Sequence, residues 1–290
     1  MPLMFIIAGY AHGMKEHFSS GQTYSYYFRK YIIDLYLPCM FFSLIYWLPK
    51  YILSSSPVGM AEGLIKTNIE GLFMIPFLGF SAYWFLCTLF FVKMLHLLFE
   101  RYVKSESLHF VFWLLMYAAA VVLFLRGNSY NKYVFYLGIY FHMGFMMKRH
   151  NLIPKKFSLG IILLFAGAAF FCASKFYGRS NIFLHTGSSI CTSLALFIIF
   201  YALDIRNRFL VTCGVYSMVI YCLHDWILSS SRVIYRFTGL SSSANIFVLF
   251  MMSFICAVFI PLIIVWVYKH VKCLRWVEYI FYPGRFKRDA

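Results

Sequence analysis

The residue whose type and position most clearly suit catalytic chemistry is His224, which lies deep inside an apolar run. The run begins near Phe209, so a helix places His224 about 22 Å from its start. Two roles are open for His224. It could pack between helices with its hydrogen bonds satisfied, or it could transfer protons, because histidine changes charge near neutral pH. Three small or polar residues precede His224 at helical spacing and complete one stripe, which is expected to face protein or a cavity: Gly214, Ser217 and Tyr221.

A few other ionisable residues also fall inside apolar runs. A charged side chain at the centre of a membrane helix costs about 2.5–3.5 kcal/mol, so each is a functional candidate. His142 lies near the middle of its run, where packing and contact with a substrate are both open. Asp34, Lys93 and His96 lie within about two turns of a run's end, where snorkelling or pairing explains them without a function.

The elements that must position these residues are membrane helices. Of 290 residues, 62% are hydrophobic and 12% charged, and ten acidic with 26 basic side chains cannot form the polar shell of a soluble domain of this length. The net charge of +16 sits in short clusters between apolar runs, which suits membrane loops better than a nucleic-acid groove. The eight cysteines form no Cys-x-x-Cys pair and are interpreted as buried hydrophobes.

The sequence predicts an all-α, polytopic membrane bundle with eight full spans and a partial N-terminal element. The partial element covers residues 1–14, which are too few to cross a bilayer, and its Gly9-x-x-x-Gly13 spacing favours a close helix approach. The connection from Pro49 to Phe80 is predicted to be a loop or a re-entrant piece. The eight full spans are expected near residues 31–48, 81–99, 107–125, 132–147, 157–174, 185–203, 209–228 and 244–268.

The positions of the positive charges predict the orientation. The 26 lysine and arginine residues divide between alternating loops with a bias of more than two to one. Since cytoplasmic loops carry the excess, the C-terminus is expected in the cytoplasm.

Motifs for several enzyme classes are missing. The sequence has no phosphate-cradling glycine loop, zinc-ligand spacing, His-Glu-x-x-His or nucleophile elbow, so kinase, metalloprotease and hydrolase readings lack support and no metal is expected.

Four segments, taken in order, resemble acyltransferase family 3 membrane proteins, which include the O-acetyltransferases of bacterial surface polysaccharides. MPLMFIIAGY is similar to the family's second helix, although Ala8 replaces a serine. FRKYIIDLYLPCMFFSLIYWL is similar to the third helix through Arg29, Lys30 and Pro38. AYWFLCTLFFVKML is similar to the Trp-Phe-Leu helix through Trp84. YSMVIYCLHDWIL is similar to a late helix, with four matching residues: Ser217, Ile220, Tyr221 and His224.

The resemblance implies an O-acyltransferase in the bacterial inner membrane. It would move an acyl group, most simply acetyl, from cytoplasmic acetyl-CoA or another acyl-CoA to a hydroxyl of an envelope glycan or lipid-linked sugar. His224 is then the candidate catalytic residue, and Arg29 and Lys30 are candidates for binding the coenzyme A phosphates, although the positive-inside rule explains this pair equally well. Four residues are candidate substrate contacts: Ser217, Tyr221, Trp84 and His142.

One departure from the family limits this interpretation. The family's first helix carries an arginine and, about ten residues later, a histidine central to catalysis, and residues 1–290 contain no counterpart. We therefore expect a single, N-terminally truncated membrane domain, or a start codon further upstream. Two other functions stay open: an inactive scaffold among envelope-polysaccharide synthesis proteins, and a polytopic glycan or lipid transporter.

Overall fold

The structure, a computed structural model, is built of helices and has no strand among the residues that it describes. It confirms the predicted all-α class. Described are residues 2–14, 24–54, 70–79, 83–125, 132–153, 156–176, 182–204, 207–237, 246–274 and 276–282.

Each predicted apolar run coincides with one or more helices, which we number in chain order. The bounds are α1 Pro2–Gly13, α2 Tyr24–Tyr31, a π-helix Ile32–Tyr36, α3 Leu37–Ser54, α4 Glu70–Leu78, α5 Trp84–Tyr102, α6 Glu106–Leu125, α7 Lys132–Arg149, α8 Phe157–Phe176, α9 Ile182–Leu203, α10 Arg208–Val215, α11 Ser217–Phe237, α12 Ile246–His270, a 3₁₀ turn Lys272–Leu274 and α13 Val277–Phe281.

Within the described residues, four helices are long and apolar enough to cross a membrane. The bent pair α10 and α11 makes a fifth if it forms one span. The predicted number of eight full spans is therefore not confirmed, although the chain is rich in apolar helices. The four are Tyr24–Ile52, Phe157–Ser174, Leu184–Leu203 and Phe250–His270.

The predicted connection between Pro49 and Phe80 is partly helical. Helix α3 runs through Pro49 to Ser54 without interruption. A separate short helix, α4, covers Glu70–Leu78 near the end of the connection. The loop alternative was therefore wrong at both ends, the re-entrant alternative stays a prediction, and residues 55–69 lie outside the described part of the chain.

The structure corrects the predicted stripe along residues 209–228. The chain leaves helical geometry at Tyr216, with φ −101° and ψ 16°, and the helices on either side differ in direction by 80°. Gly214 therefore belongs to α10, whereas Ser217, Tyr221 and His224 belong to α11. Among the described residues, a Cβ on Gly214 would meet nothing within 4 Å, so this glycine makes no close contact with another described helix.

The chain divides into two compact units. The first comprises Met1–Phe28 and Thr88–Ile205, and the second comprises Arg29–Cys87 and Arg206–Ala290. The two units carry different candidate sites.

The first unit is built around a very close crossing of α1 and α7. A Cβ on Gly9 would lie 1.9 Å from the carbonyl oxygen of Phe141, and one on Gly144 would lie 2.0 Å from that of Ile6. Glycine is required at both positions because the two backbones touch there. The close approach predicted from Gly9 and Gly13 is confirmed. In the same unit α8 packs along α9, and α6 packs along α7.

The second unit is held by buried aromatic residues. Phe42 on α3 stacks on Phe281 of α13, with ring centroids 5.1 Å apart. Tyr46 meets Trp226 of α11 edge-on at 5.1 Å. Helix α11 also packs along α12. The contact between Tyr46 and Trp226 places α11, the helix that carries His224, against α3.

Candidate functional site

His224 lies in the first half of α11 and is partly buried. Its Nδ1 donates a hydrogen bond to the backbone carbonyl of Tyr221, one turn earlier on the same helix. Since a carbonyl oxygen only accepts, the proton of the neutral ring is on Nδ1. The Nε2 atom then carries a lone pair. In this orientation His224 can accept a proton from a bound molecule.

The ring of Tyr221 connects His224 with the start of α5. Its centroid lies 5.2 Å from the His224 ring and 5.4 Å from that of Phe85. Ser217 lies one turn before Tyr221 and is exposed. Trp84, the neighbour of Phe85, is partly exposed, and the two rings are 6.5 Å apart. The structure therefore brings Tyr221 and His224 together and places Trp84 beside a residue that contacts Tyr221.

Tyr83 anchors α11 through a buried hydrogen bond. It is fully buried, and its hydroxyl donates a 2.7 Å hydrogen bond to the backbone carbonyl of Cys222. The Cys39 thiol of α3 donates to the Tyr83 carbonyl at 3.4 Å. A hydroxyl that satisfies a buried helix carbonyl holds that turn in place. A buried hydrogen bond thus stabilises the turn that carries Tyr221 and His224.

Arg29 and Lys30 occupy the last turn of α2, immediately before the π-helix. Arg29 is exposed and Lys30 is partly buried. A π-helical turn inside a longer helix is often found at functional sites. The role predicted for this pair stays a prediction, as do those of Ser217, Tyr221, Trp84 and His224.

The first unit contains a cluster that the sequence did not predict, formed by His12 of α1 with His96 and Glu100 of α5. The Nε2 atom of His12 lies 3.9 Å from Oε2 of Glu100, and Nδ1 of His96 lies 3.7 Å from the same oxygen. His12 and His96 are 3% and 0% exposed. One carboxylate thus faces two imidazoles in the interior of the unit.

His142 of α7 extends this cluster. It is 1% exposed, and its Nδ1 lies 3.5 Å from Nε2 of His96. His109 also contacts the group, but its Nε2 donates to the Val103 carbonyl at 2.7 Å. Phe145 packs on His96 with ring centroids 4.6 Å apart. The contact with substrate predicted for His142 stays a prediction.

Sequence reasoning missed His12 and Glu100 for identifiable reasons. Glu100 falls one residue beyond the span predicted for residues 81–99, and His12 belongs to the partial first element. A signal was present, because His96 and Glu100 are four residues apart and so share a helix face. Pairing was expected for His96 near a helix end, and Glu100 is its partner.

Comparison with known proteins identifies a family. The sequence profile of the acyltransferase family 3 domain, described as an acyltransferase domain, matches residues 1–269. No curated protein and no solved structure matches the chain.

Proposed function

Because the chain belongs to acyltransferase family 3, a family of membrane acyltransferases, we propose that it moves an acetyl group from cytoplasmic acetyl-CoA to a sugar hydroxyl of a bacterial envelope polysaccharide. The single observation that carries this proposal is the match over residues 1–269. The helices of membrane-spanning length support a membrane protein, and we place it in the inner membrane as part of this proposal. Another acyl-CoA donor, or a lipid-linked sugar as acceptor, belongs to the same reaction class.

The reaction requires removal of one proton. The acceptor hydroxyl oxygen attacks the carbonyl carbon of the thioester, a C–O bond forms, and the C–S bond breaks. The hydroxyl proton must leave, and the thiolate of coenzyme A takes up a proton. A positioned histidine accelerates such transfers by about 10²–10⁴-fold.

We assign the proton-accepting role to Nε2 of His224. The hydrogen bond from Nδ1 to the Tyr221 carbonyl supports it, because in the neutral imidazole this bond places the lone pair on Nε2. Tyr221 and Trp84 offer partly exposed aromatic surface for a sugar, and the Ser217 hydroxyl offers a hydrogen bond. Arg29 and Lys30 would attract the phosphates of coenzyme A.

The donor is tested first in membranes that contain the protein. Membranes with radiolabelled acetyl-CoA should transfer label to endogenous glycan, and alkaline hydrolysis should release it as acetate. Replacing both Arg29 and Lys30 with Gln should raise the KM for acetyl-CoA with little change in kcat, because these residues bind the donor in both ground and transition states. An unchanged KM for acetyl-CoA would mean that Arg29 and Lys30 serve only to orient the protein in the membrane.

His224 is tested with a matched control. His224→Asn keeps a side-chain donor near the position of Nδ1 but removes the base, so transfer should fall by about 10²-fold or more. His270 is the control, because its Nδ1 also donates to a carbonyl of its own helix, that of Trp266, at 2.8 Å. His270→Asn should retain activity. Wild-type transfer by His224→Asn at equal membrane content would refute the assignment.

A further inference from the structure

The buried cluster of His12, His96 and Glu100 has the composition and placement of a transition-metal site. We propose that it binds one divalent ion of the zinc type, held by Nε2 of His12, Nδ1 of His96 and Oε2 of Glu100. These three atoms all lie within 4.8 Å of one another. The proposal does not depend on the acyl-transfer reaction.

The distances fit an ion between the three atoms better than direct hydrogen bonds. The separations of 3.7 Å and 3.9 Å between imidazole nitrogens and Glu100 Oε2 exceed hydrogen-bond length. Ligands at the usual distances from a tetrahedral zinc ion lie about 3.3–3.5 Å apart. These two separations would need to close by only a few tenths of an ångström, and the ligand atoms of the two imidazoles lie within 4.8 Å of each other.

Burial strengthens the argument. The Nδ1 atom of His96 and Oε2 of Glu100 are buried, and neither has a hydrogen-bond partner in the described part of the chain. The Glu100 side chain is 7% exposed and the His96 side chain 0%. An unsatisfied buried carboxylate oxygen costs several kcal/mol unless a positive charge compensates it. A bound divalent ion would satisfy both atoms.

The surroundings match those of metal-binding histidines. Such a histidine usually donates its other ring N–H to a neighbouring acceptor, which fixes the tautomer. Here Nε2 of His96 lies 3.5 Å from Nδ1 of His142, so His142 is in place to accept this bond. Phe141 and Phe145 contact both His12 and His96 and form an apolar shell around the cluster.

The ligand set also indicates the class of ion. Two neutral imidazoles with one carboxylate suit zinc and related transition metals, whereas magnesium and calcium prefer oxygen ligands. Two histidines and one glutamate are the protein ligands of zinc sites that keep a fourth position for water. The sequence has no zinc-type spacing because the ligands come from two helices, with 84 residues between the positions of His12 and His96.

The test measures metal content and affinity in detergent-purified full-length protein without a polyhistidine tag. After removal of metal with a chelator, wild-type protein should bind one Zn²⁺ per chain and should melt at a higher temperature when it is bound. Co²⁺ in place of Zn²⁺ should give the visible absorption of a tetrahedral nitrogen–oxygen site. Binding of less than a tenth of an equivalent, with no change in melting temperature, would overturn the proposal in favour of a metal-free carboxylate–imidazole cluster.

Variants then locate the ion. Glu100→Gln and His96→Asn each remove a ligand, so each should weaken Zn²⁺ binding by more than about 100-fold, beyond the loss expected for a residue that only supports a ligand. His142→Phe should weaken it by about 10- to 100-fold but keep one ion per chain, as expected for a positioning residue. Glu106→Gln is the matched control, because Glu106 lies 2.8 Å from His150 on the surface and outside the cluster. Equal loss of binding in Glu106→Gln and Glu100→Gln would contradict the site. The Co²⁺ spectrum of wild-type protein decides the question where a variant does not fold.

Discussion

Replacing Gly9 with Ala tests the close crossing of α1 and α7, which positions His12. The new Cβ would lie 1.9 Å from the carbonyl oxygen of Phe141 and 2.8 Å from its carbonyl carbon. Both obstacles are backbone atoms, so the helices must separate. Overpacking of this kind costs about 1–3 kcal/mol, and we expect a value near the upper end.

The net effect is smaller because alanine is the better helix former. Its propensity exceeds that of glycine by about 1 kcal/mol, which leaves a destabilisation of about 2 kcal/mol. At about 2–4 °C per kcal/mol for a unit of this size, Gly9→Ala should lower Tm by about 4–8 °C. Thermal unfolding in detergent, followed by circular dichroism or tryptophan fluorescence, measures this shift.

Gly187→Ala provides the matched control in the same unit. A Cβ on Gly187 would meet the ring of Phe170 at 3.4–3.5 Å, which is ordinary van der Waals contact. Its Tm should therefore stay at the wild-type value or rise slightly. A wild-type or higher Tm for Gly9→Ala would show that α1 and α7 do not cross this closely.

Two further substitutions test the second unit and the orientation of the chain. Tyr83→Phe should lower the free energy of unfolding by about 1–3 kcal/mol, because the buried Cys222 carbonyl loses its hydroxyl donor. Tyr102→Phe is the control and should leave Tm unchanged, because Tyr102 is 73% exposed. Equal Tm values for the two variants would contradict the anchoring role of Tyr83. In a Cys172→Ser background, which removes the other exposed cysteine, a membrane-impermeant maleimide should modify Cys273 in inside-out vesicles, and adding Cys273→Ser should abolish this labelling. Labelling that depends on Cys273 in right-side-out vesicles would contradict a cytoplasmic C-terminus.

The helices were predictable because apolar length and periodicity determine them locally. Their breaks were harder to predict. Residues 209–228 form one apolar run without proline, yet the chain turns at Tyr216 between α10 and α11. The apolar run alone does not indicate this break, although Gly214 and Ser217, residue types found at helix kinks, flank it. Three of the four predicted stripe residues nevertheless share α11, because their spacing lies within one helix: Ser217, Tyr221 and His224.

Contacts between distant helices were the least predictable feature. The spacing of Gly9 and Gly13 indicated a close approach but did not identify α7 as the partner. Similarly, the spacing of His96 and Glu100 places them on one face, but His12 joins them only through tertiary packing. Side chains brought together from separate helices carry no spacing signal, so the buried cluster became visible only in the structure.

The most direct test of the central claim is the O-acyl content of the envelope polysaccharide in cells with and without this gene. Mass spectrometry of the purified glycan should show loss of acetyl groups on deletion and their return when the gene is restored. Complementation with His224→Asn should not restore them, whereas His270→Asn should. An acyl content that does not change on deletion would contradict the assignment as a polysaccharide acyltransferase.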